Sequence, residues 1–128
     1  MFEVVTYKDR RGKDEIGEFI LDLDKKAQTN KDARINLAKI REYIVTLKKY
    51  GTAIGPPEIK RIRGSKDLWE LRPLKNRIFF AYWKENIFVL LHHFTKKSGK
   101  TPAYEIERAE KALKDWLESI PVISRYRV

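Results

Sequence analysis

One stretch of the sequence decides the fold, and it runs from Leu68 to Lys97 as LWELRPLKNRIFFAYWKENIFVLLHHFTKK. Aromatic and branched aliphatic residues dominate it, and such residues favour strands. The short breaks PLKN and KEN divide it into three segments, which are Leu68–Arg72, Arg77–Trp83 and Ile87–Phe94. Because breaks of this length fit tight hairpins, the stretch predicts a three-stranded antiparallel meander.

The residues before this stretch predict a strand and two helices. MFEVVTY alternates weakly between apolar and polar positions, which predicts a strand over Phe2–Tyr7. Apolar residues then recur at helical spacing and predict a first helix over about Lys13–Ala27. A second helix has Asn30 or Asp32 as candidate N-cap and ends before Gly51. The two apolar stripes predict a helical hairpin that packs on the sheet.

Two further segments complete the predicted fold. The connector GTAIGPPEIKRIRGSKD is predicted to be irregular, because its paired prolines exclude a helix. A last helix is predicted to have Thr101 as N-cap and Pro102 in its first turn. The fold class is therefore α+β, with an N-terminal strand, a helical hairpin, a three-stranded antiparallel meander and a C-terminal helix. Residues 1–120 are predicted to form one domain, and residues 121–128 a C-terminal tail.

Composition places the chain among folded globular proteins. Of its 128 residues, 42% are hydrophobic, which is enough for one core. No apolar run is long enough to span a bilayer and the N-terminus lacks the order of a signal peptide, so we expect a cytoplasmic protein with no membrane partner. The chain has no cysteine and two histidines, so we expect neither a metal nor another cofactor.

Positive charge is concentrated in the middle of the chain. The formal net charge is +10, and residues 51–100 carry 11 lysines and arginines against 4 acidic residues. A polyanion is the natural partner of such a surface, since each neutralised phosphate releases condensed counterions. Solubility alone explains the charge equally well, so composition leaves both interpretations open.

Two arginines of the opening stretch are predicted to face each other. If PLKN is a four-residue loop, Arg72 lies opposite Arg77 on the antiparallel pair. Like charges in this position destabilise the pair by up to about 1 kcal/mol unless an anion lies between them. Glu70 shares a face with Arg72 and can neutralise it, and arginines at strand ends can simply be solvated. The pair is therefore either a phosphate clamp or an ordinary set of surface charges.

The break KEN brings the histidines into the same region. A three-residue loop at Lys84–Asn86 places Arg77 opposite His93, and a two-residue loop places it opposite His92. We therefore expect an imidazole near the arginines in both registers. Which histidine faces them depends on one residue of register.

The residue types present fit metal-independent phosphate chemistry. The sequence contains no phosphate-binding glycine loop, no metalloprotease helix signature and no paired-cysteine motif. In RNA cleavage without a metal, a ribose hydroxyl attacks its own phosphodiester while a base and an acid move protons and fixed cations hold the added charge. Lys96 and Lys97 suit the last role, although lysines at a strand end can equally protect a sheet edge.

Four pieces, GSKDLWELR, NRIFFAY, LLHHFTKKSGKTP and EIERAEKAL, together resemble the RelE/ParE toxin superfamily, in particular its HigB-like, phage-derived branch. The resemblance covers about Phe2 to Leu117 and includes the order of strand, helical hairpin, sheet and last helix. It implies a toxin of a type II toxin–antitoxin system that cleaves messenger RNA on the translating ribosome. It also implies a helix-turn-helix, HigA-like antitoxin that binds the toxin in a hetero-oligomeric complex.

The resemblance also assigns roles to residues by position. The groups that would bind and stabilise the phosphate are Arg72, Arg77, Lys96 and Lys97. The group that would exchange protons is either Tyr104 or a histidine, which is His93 or, as the other choice, His92. The RNA-binding residues would be Lys60, Arg61, Arg63 and Lys100.

Two other functions stay open at this point. A second class of the same superfamily poisons DNA gyrase and need not cut RNA. A small basic module that binds RNA without cleaving it also fits the charge distribution. Cleavage preference, the antitoxin surface and the oligomeric state of the toxin are not predicted by these residues.

Overall fold

The computed structural model describes residues 1–125, with side chains as far as Ser119, and confirms the predicted α+β fold class. Five strands and three α-helices follow one another in the order β1, α1, α2, β2, β3, β4, β5, α3. Their bounds are Glu3–Thr6 (β1), Glu15–Lys26 (α1), Lys31–Tyr50 (α2), Ile59–Arg61 (β2), Trp69–Leu71 (β3), Asn76–Tyr82 (β4), Ile87–Thr95 (β5) and Ala103–Arg125 (α3). None of the helices in this described part has the length and apolar composition needed to cross a membrane.

The two helices of the hairpin begin at side-chain caps. Asp14 accepts a hydrogen bond from the backbone N–H of Gly17 and caps α1, while Asn30 accepts one from Ala33 and caps α2. Of the two caps proposed for the second helix, Asn30 is thus the one used. At the other end of α2, Gly51 has a φ of 62°, and a Cβ there would lie 2.7 Å from the Phe2 ring. The helix therefore ends where glycine satisfies both the backbone and the packing.

The sheet contains the predicted meander and two further strands. Its order is β1-β5-β4-β3-β2, with β1 parallel to β5 and all other neighbours antiparallel. Strand β2 lies within the connector that was predicted to be irregular, so this prediction was wrong at Ile59–Arg61. The paired prolines precede these residues and leave their N–H groups free to pair with β3, and the fully buried Ile59 anchors the strand in the core.

Helices cover both faces of the sheet. Helices α1 and α2 cover one face, where the buried side chains include Ile16, Ile40, Ile78 and Phe80. Helix α3 covers the other face, where they include Leu68, Phe79, Val89 and Ala109. Because side chains alternate along a strand, each strand residue belongs to one of these two faces.

A β-bulge sets the register of the last hairpin. The turn at Lys84–Asn86 has three residues, which is one of the two lengths left open by the sequence, since the N–H of Trp83 donates to the carbonyl of Ile87 at 2.8 Å. The register then shifts by one residue between Phe79 and Phe80, and Leu91 is the extra residue of β5.

This shift changes the partners of both histidines. Arg77 lies opposite Phe94, while His93 lies opposite Ile78 and His92 opposite Phe79. The expectation of an imidazole opposite Arg77 was therefore wrong. The three-residue turn was one of the two lengths that the sequence left open. The bulge at Leu91 lies five residues after this turn, inside the apolar run IFVLL, and leaves no trace in the turn length.

The last helix differs from its prediction at both ends. The hydroxyl of Thr101 donates a hydrogen bond to Glu70 at 3.1 Å instead of capping α3, which begins at Ala103. The backbone of α3 continues to Arg125, beyond the predicted start of the tail. The rest of the predicted tail, residues 126–128, lies outside the described residues.

Candidate functional site

A basic groove opens beside β2 and the residues that follow it, and beside the ends of β3 and β5. It has a volume of about 470 Å³ and lies between these strand ends and the segment that leads into α3. Six cationic side chains line it, namely Lys60, Arg61, Arg63, Arg72, Lys96 and Lys100. Glu70, Thr101 and Ile106 are also part of its lining. The lining therefore carries a large excess of positive charge.

The sheet brings these cations together from distant parts of the sequence. Lys60 lies on β2 opposite Glu70 of β3, so both side chains are on the face that α3 covers. Arg72 directly follows β3 and is held by a hydrogen bond from its N–H to the carbonyl of Glu58. Lys96 directly follows β5, and its N–H donates to the carbonyl of Lys75. The sheet thus gathers Lys60, Arg72 and Lys96 in one groove, although Lys60 and Lys96 are 36 residues apart in the chain.

Glu70 supplies the anion between the two arginines. Its Oε1 lies 3.4 Å from Nε of Arg72 and 3.5 Å from Nε of Arg77, and its Oε2 accepts the hydrogen bond of Thr101. The Glu70 side chain is 3% exposed. The alternation of side chains along β3 indicated that Glu70 can neutralise Arg72. It did not predict that Glu70 also contacts Arg77 and Thr101.

Arg77 is a buried residue of β4 and is not part of the groove lining. Its Nη1 donates to the carbonyls of Leu74 at 2.7 Å and Asn76 at 2.9 Å. Burial lowers the pKa of Arg77 and the neighbouring charge of Arg72 lowers it further, while Glu70 acts in the opposite direction. Arg72, whose side chain is 24% exposed against 10% for Arg77, is the arginine of the pair that lines the groove.

The two histidines form a separate cluster with two glutamates. Nδ1 of His92 lies 3.0 Å from Oε1 of Glu15, and its Nε2 lies 2.8 Å from Oε1 of Glu105. The backbone N–H of His93 donates to Oε2 of Glu15 at 2.8 Å, and the His93 ring stacks on Phe19 with 4.0 Å between centroids. We call Glu15, His92, His93 and Glu105 the histidine cluster. It joins α1, β5 and α3, and neither histidine lines the basic groove.

Hydrogen bonds within the histidine cluster shift the pKa values of His92 and Glu15 in opposite directions. Burial alone lowers the pKa of His92, but its hydrogen bonds to Glu15 and Glu105 outweigh this effect and hold the pKa above its ordinary value of 6.5. Burial alone raises the pKa of Glu15, but hydrogen bonds from His92 and His93 outweigh it and hold the pKa below its ordinary value of 4.5. The cluster therefore favours a protonated His92 beside an ionised Glu15.

The remaining predicted site residues lie outside the groove lining. Lys97 is exposed beyond the end of β5. Tyr104 is 56% exposed in the first turn of α3, and the guanidinium carbon of Arg108 lies 5.5 Å from the centre of its ring. The groove lining thus contains six of the ten predicted residues and does not include Arg77, His93, Lys97 or Tyr104.

Sequence reasoning missed the glutamates of the histidine cluster. Glu15 and His92 are 77 residues apart, and Glu105 belongs to a third element. Both glutamates lie in the first turn of a helix, where an acidic residue is ordinary because it complements the helix dipole. No local pattern therefore distinguishes them from surface charges.

Fold and groove together define a class of small α+β proteins with a basic groove at one end of a mainly antiparallel sheet. Residues 18–114 match the family model described as "Phage derived protein Gp49-like (DUF891)". Since the match spans most of the chain, the chain belongs to this Gp49-like family, which is a RelE-like toxin family. A comparison with curated proteins gives no match. All six cations of the groove lie within the matched residues.

Proposed function

We propose that this protein is the toxin of a type II toxin–antitoxin system and that it cleaves messenger RNA on the translating ribosome. The observation that carries the proposal is the convergence of six cations in one groove around Arg72. Membership of a RelE-like toxin family supports the toxin assignment. The ribonuclease activity and its dependence on the ribosome are the proposed steps.

The charge of the groove suits an RNA backbone. Each phosphate that a lysine or arginine neutralises releases counterions, so several cations in one groove bind a nucleic acid without reading its sequence. Arg72 presents a planar guanidinium, whose N–H groups match two oxygens of one phosphate. Lys60 and Lys96 supply point charges on either side of Glu70 and Arg72 in the lining.

The proposed reaction is an internal transfer within the RNA. A ribose 2′-hydroxyl attacks the adjacent phosphorus, a new P–O2′ bond forms and the P–O5′ bond breaks. The 2′-hydroxyl loses its proton and the leaving 5′ oxygen gains one, which yields a 2′,3′-cyclic phosphate and a 5′-hydroxyl. In this scheme Arg72 and Lys96 hold the charge that develops on the phosphate oxygens. His93 is not part of the proposal, because it lies opposite Ile78 on the other face of the sheet.

Cleavage on purified translating ribosomes tests the proposal directly. The wild-type protein should produce new ends within translated codons, and Arg72→Ala should slow their appearance by about 100- to 1000-fold. Lys49→Ala is the matched control, because Lys49 is an exposed lysine of α2 outside the groove lining. Equal cleavage by the wild type and Arg72→Ala would contradict the site, and no cleavage by the wild type would contradict the activity.

A second candidate is an RNA-binding module without catalysis. Its support is that neither a histidine nor Tyr104 lines the groove. The lining therefore contains cations that can bind phosphate but none of the residues that were predicted to transfer protons. It predicts salt-dependent RNA binding with no new RNA ends in the same assay. A DNA damage response with intact messages after expression would instead indicate a gyrase poison.

We further propose a helix-turn-helix antitoxin of the HigA-like kind as partner. Family membership supports a toxin of a toxin–antitoxin pair, and an open groove with six cations would otherwise bind cellular RNA. The gene next to this one should encode a short helix-turn-helix protein. Co-expression of the two should restore growth and give a hetero-oligomer in size-exclusion chromatography, and separate elution with continued growth arrest would contradict the pairing.

A further inference from the structure

Glu70 is a carboxylate in a groove whose other charged lining residues are cations. Its side chain is 3% exposed, yet it lies in the lining of the groove beside Arg72. An ionised carboxylate loses its hydration on burial and is retained only where charged or hydrogen-bonding partners replace the water. Glu70 has three such partners, which are Arg72, Arg77 and Thr101.

These partners differ in how firmly they are held. Arg77 donates two hydrogen bonds to backbone carbonyls of the turn between β3 and β4, so its guanidinium is fixed to the sheet. Thr101 belongs to the segment that leads into α3. Within residues 1–125, the guanidinium of Arg72 has Glu70 as its charged partner, with 3.4 Å between Nε and Oε1, and its Nε makes no hydrogen bond to any protein group. The orientation of Arg72 therefore depends on Glu70, and that of Glu70 depends on Arg77 and Thr101.

We infer that Glu70 is a positioning residue, which is fixed by Arg77 and Thr101 and orients the guanidinium of Arg72 toward a phosphate in the basic groove. The inference rests on the proposed function. In the free protein Nε of Arg72 lies 3.4 Å from Oε1 of Glu70, and Arg72 also lines the groove in which a phosphate would bind. An arginine that is fixed in advance loses less side-chain entropy when it binds, and misplacement of a catalytic group by about 1 Å can cost about 100-fold in rate.

Two other roles for Glu70 predict different effects of its removal on RNA binding and cleavage. If Glu70 only neutralised charge, its removal would tighten RNA binding and leave the cleavage rate unchanged, because a negative charge near the phosphate is lost. If Glu70 exchanged a proton with the RNA, its removal would slow cleavage whether or not Arg72 were present. A positioning residue slows cleavage only through the residue that it positions.

A double-mutant cycle between Glu70 and Arg72 separates these roles. The full chain is assayed on translating ribosomes at saturating ribosome concentration, as wild type, Glu70→Gln, Arg72→Ala and the double variant. We expect Glu70→Gln to lower the rate at saturation by about 10- to 100-fold, with RNA affinity unchanged or higher. In the Arg72→Ala background the same change should cost less than about 3-fold.

A second variant covers the case in which Glu70→Gln does not fold. Thr101→Val removes the hydroxyl that donates to Glu70 while it keeps the shape of the side chain. It should lower the rate at saturation by about 3- to 10-fold in the wild-type background and should have no effect in the Arg72→Ala background. Circular dichroism and thermal unfolding establish that each assayed variant is folded.

The outcomes that would overturn the inference are distinct from failure of the proposed function. An equal loss of rate from Glu70→Gln in both backgrounds would reject positioning, and so would tighter binding with an unchanged rate. If the wild type cuts no RNA, the proposed activity fails, and the same cycle is then measured on binding of a single-stranded RNA. Arg72→Ala should weaken that binding less in the Glu70→Gln background than in the wild type, and equal weakening in both would reject positioning.

Discussion

Both carboxylate oxygens of Glu15 lie within 3.0 Å of Nδ1 of His92. This contact joins the first turn of α1 to β5. Glu105, in the first turn of α3, makes the corresponding contact with the other ring nitrogen, Nε2 of His92, at 2.8 Å. One imidazole thus ties the helices of both faces to β5. The partners of the two histidines are therefore glutamates of α1 and α3, and these contacts lie outside the lining of the basic groove.

The first prediction concerns the stability that Glu15 supplies. Glu15→Gln should lower the free energy of unfolding by about 1.5 to 3 kcal/mol, because hydrogen bonds to charged groups contribute on this scale. Glu18→Gln is the matched control, since Glu18 is the other acidic residue in the first turn of α1 and is exposed. Denaturant unfolding measures both variants. Equal stability of the two would show that the contact with His92 contributes little.

The second prediction concerns pH. The pKa of His92 is raised in the folded protein, so its stabilising contribution is complete below pH 6.5 and is lost as the pH rises through the raised pKa. The pKa of Glu15 is lowered, so its contribution is complete above pH 4.5 and is lost only as the pH falls through the lowered pKa. The groups that face His92 are Glu15 and Glu105, and Arg108 lies 3.7 Å from Glu105.

Denaturant unfolding of the wild type and of His92→Gln between about pH 5 and about pH 8 tests this prediction. The wild type should exceed the variant in stability most at the acidic end, and the difference should shrink toward the alkaline end. A difference that is constant or grows with pH would mean that His92 is not held in its protonated form.

The third prediction separates Arg77 from Arg72. Arg77→Ala should lower the free energy of unfolding by about 3 kcal/mol, because it removes two hydrogen bonds to the turn and one counter-charge of the buried Glu70. Arg72→Ala should cost less, since Arg72 is the more exposed of the two. Thermal unfolding and the steady-state level of each variant in cells distinguish them. Loss of toxicity in Arg77→Ala at an unchanged melting temperature would instead indicate a direct contact with RNA.

The sequence predicted those features of the fold that local pattern determines. The alternation of β1, the helical spacing of α1 and α2 and the turn signals of the meander are all read within about 15 residues. The strand β2 was missed because Ile59–Arg61 is too short to show alternation and follows a pair of prolines. Pairing with β3 makes it a strand, and that is a tertiary effect.

Six of the ten predicted site residues lie in the groove lining, and local pattern accounts for two of them. Arg72 and Lys96 are visible in the sequence as cations at strand ends, which an antiparallel meander gathers. The other four cations of the groove were assigned by the family resemblance, and these are Lys60, Arg61, Arg63 and Lys100. The position of His93 could not be predicted in this way, because the extra residue Leu91 moves the side chains that follow it in β5 to the opposite face of the sheet. An apolar run such as IFVLL hides a bulge, since each of its residues is equally suited to either face of a sheet that helices cover on both sides.

The last prediction concerns the salt dependence of RNA binding. If Lys96 and Lys100 each neutralise one phosphate, Lys96→Ala and Lys100→Ala should each reduce the slope of log affinity against log salt by about 0.7, the value for a single-stranded nucleic acid. Lys49→Ala removes the same charge from α2 and should leave the slope unchanged. Titration of a single-stranded RNA at several salt concentrations measures all three. Equal reductions in all three variants would mean that the net charge of the protein, rather than the basic groove, attracts the RNA.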